Sequence, residues 1–433
     1  MAIVGAVALL VVIATRIEAL PLVLACTIFV ESLSFGGLTV GRIAGVLALA
    51  ALAYYALVHG RLALRASPLL AVTGAYGFWI LLSAYWADDS SAVYTTFVGF
   101  LLVVSYLLTF AVFVRTPQDA RRVLVVMVIG ATVAGFVALD TYLVTGGAVR
   151  ATGLLGAGHP DVFGVYQAMI APIALGLFAL ARRPEVRIAY LGCLGIITLS
   201  IVSSLTRAAM ISVVGVAVLA LVLPWRVVFR SAAQKATYAV CVGVTSGLVV
   251  TVAATATFLS RVGSIFTSLN GGGDRGAGRT DLWAAAMNAY SHHPWLGIGA
   301  GNFQAQSLDL LTQTQGVDIG AAYVAQGRPV HNSYLEALTE LGPVGLALLV
   351  LVIGFTGWYL VRVFLRARAA GDDLLRILSA TVFLALVSLA VSMIFLSITF
   401  NKPLWIILGL AIALERMSAR AAAGRPATHS AAA

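Results

Sequence analysis

Thirteen apolar stretches follow one another along this chain, near residues 3–15, 19–34, 40–58, 69–87, 93–114, 123–145, 164–181, 188–204, 207–224, 236–260, 343–361, 374–398 and 403–415. Most approach the roughly 20 residues that a membrane-spanning helix requires. In lipid a helix is the only open-chain structure that satisfies its own backbone hydrogen bonds. The pattern therefore predicts an all-α polytopic membrane protein. The first, second and last stretches are short and are candidates for tilted, broken or re-entrant segments, so about 12 spans are expected. Composition agrees: of 433 residues, 61% are hydrophobic and only 10% charged, with mean hydropathy +1.00. Soluble globular domains are about 45–50% apolar and about 25% charged. Cys26, Cys193 and Cys241 fall inside separate apolar runs without metal-type spacing and read as small core residues. The N-terminal run has no basic residue before it and no cleavage-site pattern, so it reads as a retained membrane segment.

Charge sets the orientation. Of 27 Lys and Arg residues, nineteen fall in alternate connections, from Arg16, Arg61 and Arg65 through Arg182 and Arg230 to Arg416 and Arg425. Cytoplasmic loops carry the positive excess, which assigns those connections to the cytoplasm. The net charge of +10 is thereby mostly a topology signal and calls for no nucleic-acid partner. Eight cations fall on the other side: Arg42, Arg150, Arg207, Arg261, Arg275, Arg279, Arg328 and Lys402. The same assignment divides the chain into a helix bundle (1–260) with a short glycine-rich outer loop (146–163), a polar outer loop bearing short helices (261–333), C-terminal spans (334–416) and a disordered tail (417–433). No internal repeat is evident, which disfavours a transporter built from duplicated halves.

The stretch GGGDRGAGRTDLW (271–283) matches the spacing of a phosphate-binding loop, with Arg279 in place of the usual lysine. Such a loop needs a preceding buried strand, a metal-holding acid and a compartment that contains nucleotide. None is expected here, so the glycines read as a turn before a helix starting near Thr280, and no nucleotide partner is assigned. Three outer-face motifs carry the chemistry. In SSLTRAAM (203–210), Arg207 stands at a helix end; a guanidinium at membrane depth marks a functional position unless it snorkels to the headgroups. Beyond Arg279, RTDLWAAAMNAYSHHPWLGIGAGNF (279–303) reads as a short helix with Trp283 and Tyr290, stopped at His292-His293-Pro294. That histidine pair has no carboxylate or cysteine at ligand spacing, so no metal site is assigned. In RPVHNSYLEALTELGPVGL (328–346), Ser333 and Glu336 have the spacing of a capping box, and Gly342-Pro343 closes the helix. His331 lies just outside that helix's N-terminus, where the dipole favours the neutral imidazole that a general base requires. Arginines without an evident metal suit a phosphate or diphosphate, to which guanidinium donates paired hydrogen bonds. A lipid diphosphate is the phosphorylated leaving group that a membrane itself presents.

These motifs, in this order, resemble the O-antigen ligase family: an arginine at a helix end (Arg207), R-x-x-x-W leading to P-x-x-G-x-G (Arg279 to Gly299), and H-N-x-Y-L-x-x-x-x-E-x-G (His331 to Gly342). The resemblance covers about 150–346 in motif. It implies a GT-C-type, inverting glycosyltransferase of the bacterial inner membrane, acting on the periplasmic side without a metal ion or other cofactor. Its implied donor is O-antigen polysaccharide on undecaprenyl pyrophosphate, and its implied acceptor is a sugar hydroxyl of lipid A-core. By motif, Arg207 and Arg279 bind the donor diphosphate and stabilise its departure, and His331 takes the acceptor proton. Arg150 and Arg42 are secondary candidates for the phosphate pocket, and Asn332 and Tyr334 for positioning His331 or lining the acceptor path. Where the family usually has an asparagine after the proline of the 150s loop, this chain has His159-Pro160-Asp161. The related protein O-oligosaccharyltransferases and O-antigen polymerases use the same donor. A transporter is the non-enzyme alternative, with Glu31 and Asp140 in or near spans.

Overall fold

The computed structural model describes residues 17–30, 33–35, 37–60, 62, 64, 67–147, 149–150, 152–153, 159–252, 278–317 and 327–423. The helices of eight or more residues among those described are α1 (Leu20–Thr27), α2 (Val40–His59), α3 (Pro68–Leu82), α4 (Ser90–Phe113), α5 (Pro117–Val144), α6 (Pro160–Leu180), α7 (Pro184–Ser203), α8 (Arg207–Val222), α9 (Ala232–Val252), α10 (Arg279–His292), α11 (Ser333–Ala370), α12 (Asp373–Ser392) and α13 (Lys402–Ala423). A two-residue antiparallel pair, Ser34–Phe35 with Leu38–Thr39, precedes α2. Among the described residues eight helices are long and apolar enough to cross a membrane, and α8 and the segment Ile17–Thr27 are shorter apolar helices. The chain is an all-α, multi-pass membrane protein. The apolar run at 3–15 lies outside the described residues, as do Glu31, Arg261 and Arg275.

Local chemistry starts these helices. Proline occupies the first turn of α3, α5, α6 and α7, where its missing N–H costs nothing. Ser67, Asp89, Thr116 and Asp372 accept hydrogen bonds from first-turn amides. Helix α6 forms the centre of the bundle, with nearly all of its residues buried. It packs against α5, α7, α8 and α12. The approach to α12 is close: a β-carbon on Gly176 would meet the Thr381 side chain at 1.9 Å.

Helix α11 is broken. Gly342 adopts φ 66° and ψ −170° inside it, and the apolar span resumes at Pro343. The helical partner of the Thr339 carbonyl would be the N–H of residue 343, which proline lacks. The freed carbonyls are satisfied elsewhere: Thr339 O accepts from Ile298 N (3.0 Å), Glu340 O from Gly299 N (2.8 Å) and Leu341 O from Trp79 Nε1 (2.9 Å). The Glu340 carboxylate in turn accepts from Gly301 N (2.8 Å) and Phe303 N (3.1 Å). This lattice bolts the 294–303 turn, and α10 before it, to the bundle.

Four expectations change. The cap of α11 is Asn332, whose Oδ1 accepts from Tyr334 N and Leu335 N, so the Ser333/Glu336 capping box does not form. Ser333 is drawn away because its hydroxyl bonds Leu396 O and Ile398 N instead. Cys26 is exposed, and Cys193 and Cys241 are half-buried, because an apolar helix in such a bundle has an outward face as well as a core face. Asp140 is exposed near the end of α5, not on an interior path. Helix α13 continues through Ala423, past the expected start of a disordered tail. Glu415, paired with Arg366 at 2.9 Å, and Arg416, which donates to Val114 O at 2.8 Å, anchor that last part.

Gly342→Ala is expected to lower the melting temperature in detergent. Its β-carbon would fall 2.2 Å from Trp295 O in a backbone conformation that L-residues avoid. Overpacking of this kind costs roughly 1–3 kcal/mol.

Candidate functional site

At one end of α6 and α8 four separated segments converge. His159 is the N-cap of α6, and Pro160 is its first residue. Asp161 follows, its side chain only 10% exposed. Its Oδ1 accepts from Arg150 Nη2 in a short contact and from Thr206 Oγ1 at 3.2 Å. Its Oδ2 accepts from Arg279 Nη2 at 3.0 Å, and His159 Nδ1 stands 3.9 Å away. Arg150 also donates from Nε to Ser204 O at 3.0 Å. A β-carbon on Gly164, one turn into α6, would lie 2.6 Å from Ser204 Oγ, so the glycine lets the α7–α8 turn press against the helix.

That turn delivers Arg207 to the first position of α8, behind the cap residue Thr206. The charge of Arg207 acts on Arg279, whose pKa burial holds below its ordinary value while Asp161 pulls it back up. Arg279 opens α10 behind Gly278, which takes the left-handed conformation (φ 77°) at the cap. The glycine turn before the helix is thus partly visible; residues 271–277 lie outside the described residues. The helix stops at His292 as its His-His-Pro ending predicts.

His331 is half-buried beside these groups. Its backbone N–H donates to Ser397 Oγ at 3.1 Å. The adjoining residues are tied to the end of α12 and the turn after it: Ser333 N donates to Met393 O (2.8 Å), and Tyr334 OH to Ala390 O (2.9 Å). Asn332 caps α11 and Tyr334 braces it, so both hold the histidine's segment in place. The imidazole Nδ1 is buried and has no hydrogen-bond partner among the described residues. Burial, reinforced by the charge on Arg279, pushes the His331 pKa down to about 4. The ring is therefore neutral at physiological pH.

Backbone strain marks the same place. Among the described residues only Leu205 (φ 51°) and His331 (φ 57°) are non-glycine residues with positive φ. One precedes the cap of Arg207's helix and the other carries the free imidazole nitrogen. Such strain persists only where surrounding contacts over-determine it, and it clusters at functional sites.

Arg150, Arg207, Arg279 and His331 are thus brought together, with Asn332 and Tyr334 supporting the last. Arg42 is not among them. It is exposed in the first turn of α2, which packs on α4 and α1, and no ion pair joins it to the cluster among the described residues. Sequence reasoning missed Asp161, Thr206, Ser397 and the clamp made by Glu340. A carboxylate two residues after His159 and one after the helix-starting Pro160, in the loop that also carries Arg150, was the available signal for Asp161. Among the described residues no group of three or more His, Cys, Asp or Glu side chains could hold a metal ion.

Fold and site define a multi-pass membrane protein with a cationic, histidine-bearing centre at one end of its helix bundle. Residues 192–350 match the family model Wzy_C, O-antigen ligase. The matched region contains Arg207, Arg279, His331 and Glu340, whereas Arg150 and Asp161 precede it. The family implies a glycosyltransferase-type enzyme, a class that spans ligases and related polymerases. No curated protein matches the chain.

An NMR titration of labelled histidine should find His331 protonating near pH 4. Arg279→Ala is expected to raise that midpoint, because it removes a positive neighbour.

Proposed function

We propose that the protein is an inverting glycosyltransferase that transfers O-antigen polysaccharide from undecaprenyl pyrophosphate to a sugar hydroxyl of lipid A-core. In this reading it is a GT-C-type enzyme of about 12 spans in the bacterial inner membrane, with the Asp161 end facing the periplasm. The observation that carries the proposal is the meeting of three arginines with a neutral imidazole whose buried Nδ1 lacks a partner among the described residues.

Each group has one task. Arg150, Arg207 and Arg279 hold the donor diphosphate and offset the negative charge that grows on it as the glycosidic C–O bond breaks, the stage at which fixed positive groups lower a barrier most. His331 accepts the proton of the acceptor hydroxyl as its oxygen bonds the anomeric carbon from the opposite face, which inverts that carbon. The diphosphate leaves on the polyprenol. No step calls on a nucleotide, and none is routed through a metal ion.

The test is complementation of a ligase-null strain, scored for O-antigen on lipopolysaccharide. His331→Ala should cut transfer by roughly 10²–10⁴-fold and Arg279→Ala by roughly 10²–10³-fold, with folded protein at normal levels. Wild-type transfer by both variants would refute the mechanism. Purified enzyme given lipid A-core, a free glycan end or a serine/threonine peptide separates ligase from polymerase and from protein O-oligosaccharyltransferase. Added chelator is expected to leave the rate unchanged.

A further inference from the structure

The arginine cluster contains its own anion. The Asp161 carboxylate bonds both Arg150 and Arg279, and its side chain, at 10% exposure, is more enclosed than theirs at 30% and 17%. It is held from a third direction by Thr206 Oγ1. Arg279 engages it through Nη2, and among the described residues no hydrogen bond is made by its Nε or Nη1. Arg150 likewise uses Nε and Nη2, on Ser204 O, Asp161 and Thr206, and leaves Nη1 over. One edge of each guanidinium is thereby fixed by the protein while the other remains for a ligand.

We infer that Asp161 is a positioning residue that pre-aligns Arg150 and Arg279 and, by offsetting their charge, weakens the site's grip on a diphosphate enough for the product to leave. This rests on the donor-site reading above. The polyprenyl diphosphate released by transfer carries more negative charge than the glycosylated donor, because the broken glycosidic bond leaves an ionisable phosphate oxygen. A site with three uncompensated guanidinium groups would therefore hold product more tightly than substrate. A fixed carboxylate on the same groups repels both ligands, and it repels the more highly charged product more strongly.

Asp161→Asn keeps the shape and removes the charge. Binding of farnesyl diphosphate and of inorganic pyrophosphate to the full-length protein in detergent is measured by calorimetry, so that a lipid-borne and a free diphosphate are compared. Asp161→Asn should bind farnesyl diphosphate about ten-fold more tightly, the scale expected for removing one nearby charge in a partly screened site. In the transfer assay product inhibition should strengthen by a similar factor and kcat should fall while KM also falls. A purely structural role would lower yield and weaken binding. Thr206→Val, which removes a hydrogen bond and leaves the charge, should not tighten binding. If Asp161→Asn does not accumulate, Arg150→Met is compared with the Arg150→Met/Asp161→Asn double variant, in which the same gain is expected. Unchanged or weaker diphosphate binding on loss of the carboxylate overturns the inference. If Arg279→Ala also leaves farnesyl diphosphate binding intact, the donor-site reading itself fails; if Arg279→Ala weakens it, only the role of Asp161 does.

Discussion

The break in α11 at Gly342 is the constraint on which the site depends. A helix crossing a membrane can open only where other protein groups take up the backbone it frees. Here Ile298, Gly299 and Trp79 supply donors to three successive carbonyls, and Glu340 reaches across to the amides of Gly301 and Phe303. A segment whose sequence reads as a polar loop is thus fixed to the bundle by main-chain hydrogen bonds. Because α10 precedes that segment and packs on α11, the clamp also fixes where Arg279 begins.

The second consequence is electrostatic. Gathering Arg150, Arg207 and Arg279 in a partly enclosed space is unfavourable unless an anion accompanies them, since interactions between like charges strengthen as water is excluded. Asp161 supplies that anion from the first turn of the most buried helix, so the charge balance is set from the enclosed centre of the bundle. The same cationic surroundings, added to burial, keep His331 neutral. One cluster thus combines fixed positive groups with an unprotonated imidazole, the pairing on which the proposed transfer rests.

Much of the fold was legible because each layer of it leaves a local mark. Apolar runs alone place α2 to α8 in order, most limits within about one helical turn and the start of α5 nearer two, because proline and capping residues extend it outward to Pro117. That Arg207, Arg279 and His331 belong together was legible because they are ionisable residues outside the topological pattern, sitting at helix ends. The capping box at Ser333 misled because its spacing is local, whereas the hydroxyl's strongest partners lie more than sixty residues away. Arg42 is a related case: its side of the membrane could be inferred, but not which helices its own would pack beside.

By itself the sequence determined that this chain is a helical membrane protein, which ends of its helices carry unexplained charge, and which histidine stands at the N-terminus of a helix beside them. These follow from hydropathy, the cost of charge in lipid and the dipole of a helix, all of which act over a few residues. Only the tertiary structure decided that Asp161 joins Arg150 to Arg279, that Glu340 serves as a clamp, and that Leu205 and His331 hold strained backbones at one centre. Those outcomes depend on contacts between segments far apart in the chain, and local preferences carry no information about which of them will meet.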